Sequence, residues 1–317
     1  MNIWIPLLII AGLLGALLTA TAGLTWFERR LLAGFQDRLG PNRVGPMGIF
    51  QPVADGIKLL MKEDWIPPFA NRMIFVLAPG LLLLTALLAF AVIPFTEHIK
   101  VADVNIGLLF FIAMTSLSVY SVVLAGWASN SKYALLGAMR GAAQMISYEL
   151  PMLISLVGIV MLAGSLRLSD IVHAQAGVWF AVQQPIGFII FMISGMAEAR
   201  RVPFDIPEAD SELVAGYHTE YSGMKFAMFY MGEYLELILI SAMVTTLFLG
   251  GWYGPWIPGI IWFGLKTVVV ISFCIAVRAV LPRYRFDQLM NIGWKALLPL
   301  SLLNILITGA VVLMFGH

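Results

Sequence analysis

Cysteine occurs once in 317 residues, and charge is nearly as scarce. The single thiol, Cys274, lies inside an apolar run, which excludes an internal disulfide, a CxxC redox pair and an iron–sulfur cluster held by this chain alone. The four histidines (His98, His173, His218, His317) are far apart, and no two share an apolar segment at a spacing that could bracket a haem. No GxGxxG follows a strand-like run, and GPNRVG (40–45) lacks the Lys-Ser/Thr of a phosphate-binding loop. No metal and no cofactor is expected on this chain alone. If electrons matter here, another chain carries them.

Only 12% of residues are charged and 60% are apolar, whereas soluble domains have about 25% charged residues. Mean hydropathy is +0.90. The chain reads as an integral membrane protein. A net charge of +1 gives no reason to expect a nucleic-acid partner. The first 27 residues contain no Asp, Glu, Lys or Arg, so the basic n-region of a signal peptide is missing. TATAG (19–23) resembles a cleavage site, but the apolar run continues through it. The expectation is a first transmembrane helix.

Apolar stretches recur at about 3–27, 73–95, 104–127, 141–165, 178–199, 226–250, 257–280 and 296–315. Each is long enough to cross roughly 30 Å of hydrocarbon as a helix. The runs are continuous rather than alternating, which excludes a β-barrel. The expected fold is all-α: a polytopic membrane protein of about eight transmembrane helices, forming a single membrane domain over 1–317. No internal repeat of the transporter kind is present. The connections after spans 1, 3, 5 and 7 carry fourteen Lys and Arg, and the opposite connections carry only Lys100 and Arg167. The positive-inside rule then puts both termini outside and the connections 28–72 and 200–225 in the cytoplasm. Asp103 and Asp170, on the outer side, read as loop caps.

Two of these connections are unusual. In the first, Phe50, Val53, Ile57 and Leu60 recur at spacings of three and four, with Asp55, Lys58 and Lys62 on another face. This predicts an amphipathic helix lying on the membrane surface or against a partner. The preceding GPNRVGP is stiff and irregular, and holds Arg43 at the surface beside span 1. Glu28, Arg29, Arg43, Asp55 and Lys58 would form a polar rim around an apolar slot.

The second connection gathers Asp205, Glu208, Asp210, Glu212 and Glu220 into sixteen residues, more than a quarter of the 18 acids in the chain. Pro207 and Gly216 frame a predicted short helix, with Glu208 and Glu212 one turn apart on one face. Glu28, Glu149, Glu198, Glu233 and Glu236 lie within or at the ends of the spans, all in the cytoplasmic half by the charge-derived orientation. A carboxyl at such depth costs a few kcal/mol when ionised, which drives its pKa toward neutrality. A unit charge 10 Å away contributes about 1.7 kcal/mol at an effective dielectric of 20, more than a tenfold change in ionisation. A row of such groups is a candidate proton relay. Glu28 and Glu198 could instead snorkel to the headgroups. Lys266, in mid-span, is a candidate counter-ion for one of the acids.

FERRLLAGFQDRLGPNRVGP, QPVADGIKLLMKEDWIP and AEARRVPFDIPEADSELVAGYHTEYSGMKFAMFYMGEY together resemble the quinone-site membrane subunit of respiratory complex I, the family of the bacterial H subunit and the mitochondrial subunit 1. The resemblance runs in register over nearly the whole chain. It implies an eight-helix subunit at the joint between a hydrophilic arm and antiporter-like membrane subunits, within a proton-translocating NADH:quinone oxidoreductase. Quinone would enter from the bilayer as substrate, against Glu28, Arg29, Arg43, Asp55, Lys58 and Phe226. FMN and iron–sulfur clusters would reside in partner subunits. The family's acidic funnel maps onto Asp205, Glu208, Asp210, Glu212, Glu220, Glu149, Glu233 and Glu198. The resemblance also implies a bacterial plasma membrane location, with the mitochondrial inner membrane as the alternative.

The sequence departs from that pattern in places. Asp210 stands where the family often has Glu, and Ala199-Arg200 replaces the usual Thr-Asn. The second change adds positive charge beside Glu198. Glu236 is outside the pattern. A membrane anchor of an energy-converting hydrogenase or formate hydrogenlyase would share the ancestry without the quinone. A stand-alone proton-coupled transporter would be expected to show repeats.

Overall fold

The computed structural model describes residues 4–208 and 210–315, and among them every regular element is helical. In chain order these are α1 (Trp4–Phe35), the surface helix α2 (Gln51–Met61), α3 (Arg72–Ala89), α4 (Gly107–Ala128), α5 (Lys132–Ala163), the short α6 (Leu168–Ala174) and α7 (Phe180–Gln183), then α8 (Pro185–Glu198), the single turn α9 (Asp210–Leu213), α10 (Gly223–Phe248), α11 (Gly259–Val280), and α12 (Phe286–Asn291) continuing through a π-helical turn into α13 (Leu298–Phe315). Seven helical runs among the described residues are long and apolar enough to cross a bilayer. The chain is an all-α, multi-pass membrane protein.

Helix α10 is the centre of the bundle. Every residue from Gly232 to Phe248 is buried, as expected of a helix that is apolar on all sides. It packs on α3, α11, α1 and α8. Two glycines permit the closest approaches. A Cβ at Gly232 would lie 2.7 Å from Leu82 of α3, and one at Gly195 of α8 would lie 2.5 Å from Ile240 of α10. Small residues at helix crossings are how membrane bundles gain packing without a hydrophobic driving force.

Four expectations change. The stretch 178–199 is not one continuous helix. Pro185 has no N–H to donate and Gln184 takes a non-helical conformation (φ −131°, ψ 64°), so α8 starts afresh at Pro185. Its 14 residues reach only about 21 Å. Helix α1 runs past 27 to Phe35, so Glu28 and Arg29 ride inside it. Helix α5 starts at Lys132 rather than near 141. The helix expected from Pro207 to Gly216 shrinks to Asp210–Leu213, which leaves Glu208 outside it and off any shared face with Glu212. Val214 (φ 66°) and Gly216 (φ 57°) end it, and Gly216 packs so tightly on the Pro207 carbonyl that a Cβ would lie 1.8 Å away. The loop seats on the glycine face of α5, where Gly137 and Gly141 meet Pro207.

The connection after α8 is therefore not a solvated loop. Arg200, Arg201, Phe204, Asp205 and Ile206 are all buried. Gln144 of α5 holds it down by donating to the carbonyls of Ala197 (2.7 Å) and Phe204 (2.6 Å). Helix α2 forms where the spacing predicts it, with Phe50, Val53, Ile57 and Leu60 exposed.

At the far end of α10, away from the acids, Lys266 does not pair with a carboxylate. Its Nζ donates to the carbonyls of Leu249 (2.6 Å), Gly251 (3.1 Å) and Tyr253 (2.7 Å), beside the Trp179 ring. Leu249 caps α10 and Gly251 and Tyr253 follow in the loop, and a cation suits that end of the helix dipole. Nearby, Asp103 accepts hydrogen bonds from Arg167 Nε (2.8 Å) and Ser169 Oγ (2.9 Å) and pairs with Lys100. The Arg167 bond, above all, holds its carboxyl below the usual carboxylate range. Asp170 accepts from Ser165 (2.8 Å). Lys266→Met should destabilise the subunit by about 1–3 kcal/mol, because three buried carbonyls lose their donor. A lowered thermal midpoint of the purified protein is the expected outcome, and an unchanged midpoint would mean that water replaces the lysine.

Candidate functional site

Four segments bring charge to one end of the bundle. Glu28 comes from α1, Arg200 and Arg201 from the turn after α8, Glu233 and Glu236 from α10, and Arg278 from the end of α11. The turn after α8 passes through Arg200 in the left-handed conformation (φ 53°), which ordinarily suits glycine. An L-residue pays roughly 1–2 kcal/mol to adopt it, so the side chain's interactions must offset that cost.

Those interactions are ionic. Arg201 Nη1 lies 3.3 Å from Glu28 Oε2, and Arg201 Nε lies 3.0 Å from Glu233 Oε1. Glu28 also pairs with Arg278. The Arg201 guanidinium stacks over the Tyr234 ring at 4.0 Å. Arg200 Nη2 donates to Glu236 Oε2 at 2.5 Å and sits 5.8 Å from the centre of the Tyr217 ring. Burial alone would pull both guanidinium pKa values down. Glu236, with Tyr217 and Glu233, outweighs burial at Arg200, and Glu233 with Glu28 does so at Arg201, so both values rise above the usual arginine range. Both groups are fixed positive charges. Burial also pushes the Tyr217 hydroxyl up, so it stays neutral.

A polar cavity of about 130 Å³ opens between these groups, lined by Arg200, Arg201, Asp205, Glu208, Tyr217, His218, Glu233 and Arg278, and closed by Phe226 and Tyr230. Arg283 pairs with Asp205 at 2.7 Å, and His218 Nδ1 lies 3.9 Å from Glu208. Beside it runs a larger slot of about 520 Å³ between α1, α2 and α10. Leu18, Ala22, Leu59, Leu60, Met224, Ala227 and Met231 make it mostly apolar, and Arg29, Asp55 and Lys58 supply the polar groups. Arg29 donates to Asp55 at 2.6 Å across its mouth, joining α1 to α2. Phe226 and Tyr230 belong to both walls. The Tyr230 hydroxyl is 3.0 Å from that of Tyr234, whose ring also lines the slot and carries Arg201 on it. One aromatic layer separates the apolar slot from the charged cavity.

Residues 8–309 match the family model described as NADH dehydrogenase. The chain belongs to that family, in the branch of the H subunit, or subunit 1. It is 56% identical to the NADH-quinone oxidoreductase H subunit, copy 1, of Geobacter metallireducens, over 99% of this chain and 98% of the relative. It is 58% identical to the NADH-quinone oxidoreductase H subunit, copy 2, of Geobacter sulfurreducens, over 96% and 95%. It is 54% identical to the corresponding H subunit of Methylococcus capsulatus, over 98% of each.

Within this NADH dehydrogenase subunit, the residues singled out in the sequence do not all meet. Arg29, Asp55, Lys58 and Phe226 line the slot. Glu28 is 3% exposed and turns to Arg201 and Arg278 instead, so it is neither slot rim nor snorkelling group. Arg43 is exposed and lines neither cavity. Asp205, Glu208 and Glu233 line the polar cavity. Glu212 is exposed and pairs with Arg140 at 2.6 Å. Glu220, between the turn at Gly216–His218 and α10, lines neither cavity. The Asp210 side chain lies outside the described residues. Glu198 is buried beneath the cavity, and Glu149 on α5 accepts a hydrogen bond from Ser116 of α4. The sequence reading missed Arg200, Arg201 and Arg278 as site residues. The first two were counted only among the cytoplasmic-side charges, with Arg200 noted as positive charge beside Glu198, and Arg278 was visible as a charge inside the apolar stretch 257–280. Arg201→Met leaves Glu28 and Glu233 without their shared cation. It should destabilise the subunit by about 3–5 kcal/mol, the cost of breaking a buried pair on one side. Thermal unfolding of the assembled enzyme checks this, and a loss under about 1 kcal/mol would mean that the network is solvated.

Proposed function

We propose that this chain is the quinone-site membrane subunit of a proton-pumping NADH:quinone oxidoreductase, and that it couples quinone reduction to proton movement through buried carboxyl groups. The relatives are named as subunits of NADH-quinone oxidoreductase, which supports a partnership with other subunits. In this reading a soluble arm supplies FMN and iron–sulfur clusters, and antiporter-like subunits adjoin in the membrane. The Lys and Arg asymmetry supports a bacterial plasma membrane with both termini outside and the site at the cytoplasmic side.

The observation that carries the proposal is the shared aromatic wall. The slot is apolar enough for an isoprenoid tail, and it is flanked by α2, whose own apolar residues are exposed. Arg29, Asp55 and Lys58 can hydrogen-bond a polar head. A head group pressed against Phe226, Tyr230 and Tyr234 lies one ring's thickness from Arg201. Charge that develops there acts on Glu233 and Glu28 across the aromatic wall, where about 1.7 kcal/mol per unit charge at 10 Å and an effective dielectric of 20 changes a poised carboxyl's ionisation more than tenfold. From Glu233 the acids continue to Glu198 and Glu149, while Asp205, Glu208, Asp210, Glu212 and Glu220 form the aqueous approach. A hydrogenase anchor would have no need of the slot.

Two substitutions test the two halves separately. Gly56 lines the slot and a Cβ there meets nothing within 4 Å, so Gly56→Phe adds bulk to the slot wall. It should raise KM for quinone about tenfold in an enzyme that still assembles. An unchanged KM places the quinone elsewhere. Glu149→Gln should lower coupled turnover tenfold or more with the complex intact, read as quinone reduction together with proton uptake in vesicles. Full pumping in that variant would remove Glu149 from the relay.

A further inference from the structure

Beneath the polar cavity lies a cluster whose hydrogen bonds do not close. Arg200 has no exposed side-chain surface, and Glu236 has 6%. Glu198, the last residue of α8, is 2% exposed. One guanidinium N–H group of Arg200 is engaged, by Glu236. Its Nε and Nη1 have no hydrogen-bond partner, nor has either oxygen of Glu198, while the Ser118 hydroxyl of α4 is the donor beside Glu236. The charges that reach Glu198 are those of Glu236, Glu149 and Arg200. The neighbouring cations are committed elsewhere, Arg201 to Glu28 and Glu233, and Arg278 to Glu28.

Charge balance limits what such a place can hold. One fixed guanidinium with no exposed side-chain surface neutralises one carboxylate. A second carboxylate there, with neither counter-ion nor hydrogen-bond donor, is so costly that the group keeps its proton instead. Glu149, held by Ser116, adds to that cost at Glu198 when ionised, and the two carboxyl groups that face Arg200 therefore carry one proton between them, as like charges in a shared site require.

We propose that Arg200 is a positioning residue which, by taking Glu236 as its counter-ion, keeps Glu198 as the proton-bearing member of a two-carboxyl, one-proton site. The unengaged Nε and Nη1 of Arg200 give the reverse state a partner: if the proton sits on Glu236, Arg200 can serve Glu198 as the carboxylate. The number of protons is the same in both states. The identity of the proton-bearing acid is set by which carboxylate the guanidinium holds. This deepens the relay reading above and rests on it for its role in turnover, while the proton count itself depends only on the three side chains.

The test is infrared difference spectroscopy of the assembled enzyme, following the C=O stretch of a protonated carboxylic acid, with Glu198→Gln used to assign the Glu198 band. Glu236→Gln frees Arg200 to take Glu198 as its counter-ion, since Glu233 is already held by Arg201. The Glu198 band is then expected to disappear and coupled turnover to fall tenfold or more. Glu236→Asp keeps the charge and should keep the band. The double variant R200N/E236N removes cation and anion together. It should assemble, show the band and recover turnover to within about threefold of the parent. Persistence of the band in Glu236→Gln overturns the proposal, as does its absence in the double variant, which serves even if Glu236→Gln fails to assemble. A band lost in Glu236→Gln while Glu149→Gln pumps normally would uphold the one-proton site and sink the relay. The converse pattern would uphold the relay and sink the site.

Discussion

Two buried guanidinium groups, Arg200 and Arg201, hold this end of the bundle together. Arg201 links Glu28 of α1 with Glu233 of α10, and Glu28 extends the link to Arg278 of α11. Arg200 ties the turn after α8 to Glu236, one helical turn beyond Glu233. A membrane interior offers no water to soften a wrong arrangement. Each charge must find its partner at short range or cease to be a charge. That constraint fixes how α1, α8, α10 and α11 approach one another, and it explains why the turn after α8 lies buried under the bundle rather than in solvent.

The same constraint makes the site responsive. Buried ion pairs are poor stabilisers, since desolvation cancels much of what attraction returns. Their retention at the meeting point of four helices makes sense if their balance is used. The slot between α1, α2 and α10 lies one aromatic layer away, with Phe226 and Tyr230 lining both compartments. An apolar compartment and a charged compartment thus share a wall; in the proposed function the first admits a redox lipid and the second registers its state. Neither is unusual alone. The coupling argument rests on their adjacency.

Much of the fold was legible in the sequence, because runs of apolar residues near twenty long have few alternatives in a bilayer. The surface helix was legible from Phe50, Val53, Ile57 and Leu60 at helical spacing, and the acids at the ends and in the interiors of spans announced themselves by their cost. Partners were not legible. Arg200 and Arg201 carry the same signal as any pair of arginines at a membrane surface, and nothing local indicates that the chain turns them inward. The break at Gln184-Pro185 could be suspected from proline, but apolar continuity concealed it. The helix expected at Pro207 failed because Gly216 is needed for packing against the Pro207 carbonyl, a tertiary demand that a cap-and-spacing argument does not include. Arg200 and Glu236, noted separately as departures from the family pattern, meet as a buried pair. Sequence spacing alone gave no reason to join them.

The most direct measurement is a density map of the assembled enzyme with a quinone bound. The account predicts the tail between α1, α2 and α10 and the head group against Phe226, Tyr230 and Tyr234, on the slot side of Arg201. A head group bound far from that wall, or a slot filled by a side chain of a neighbouring subunit, would contradict it.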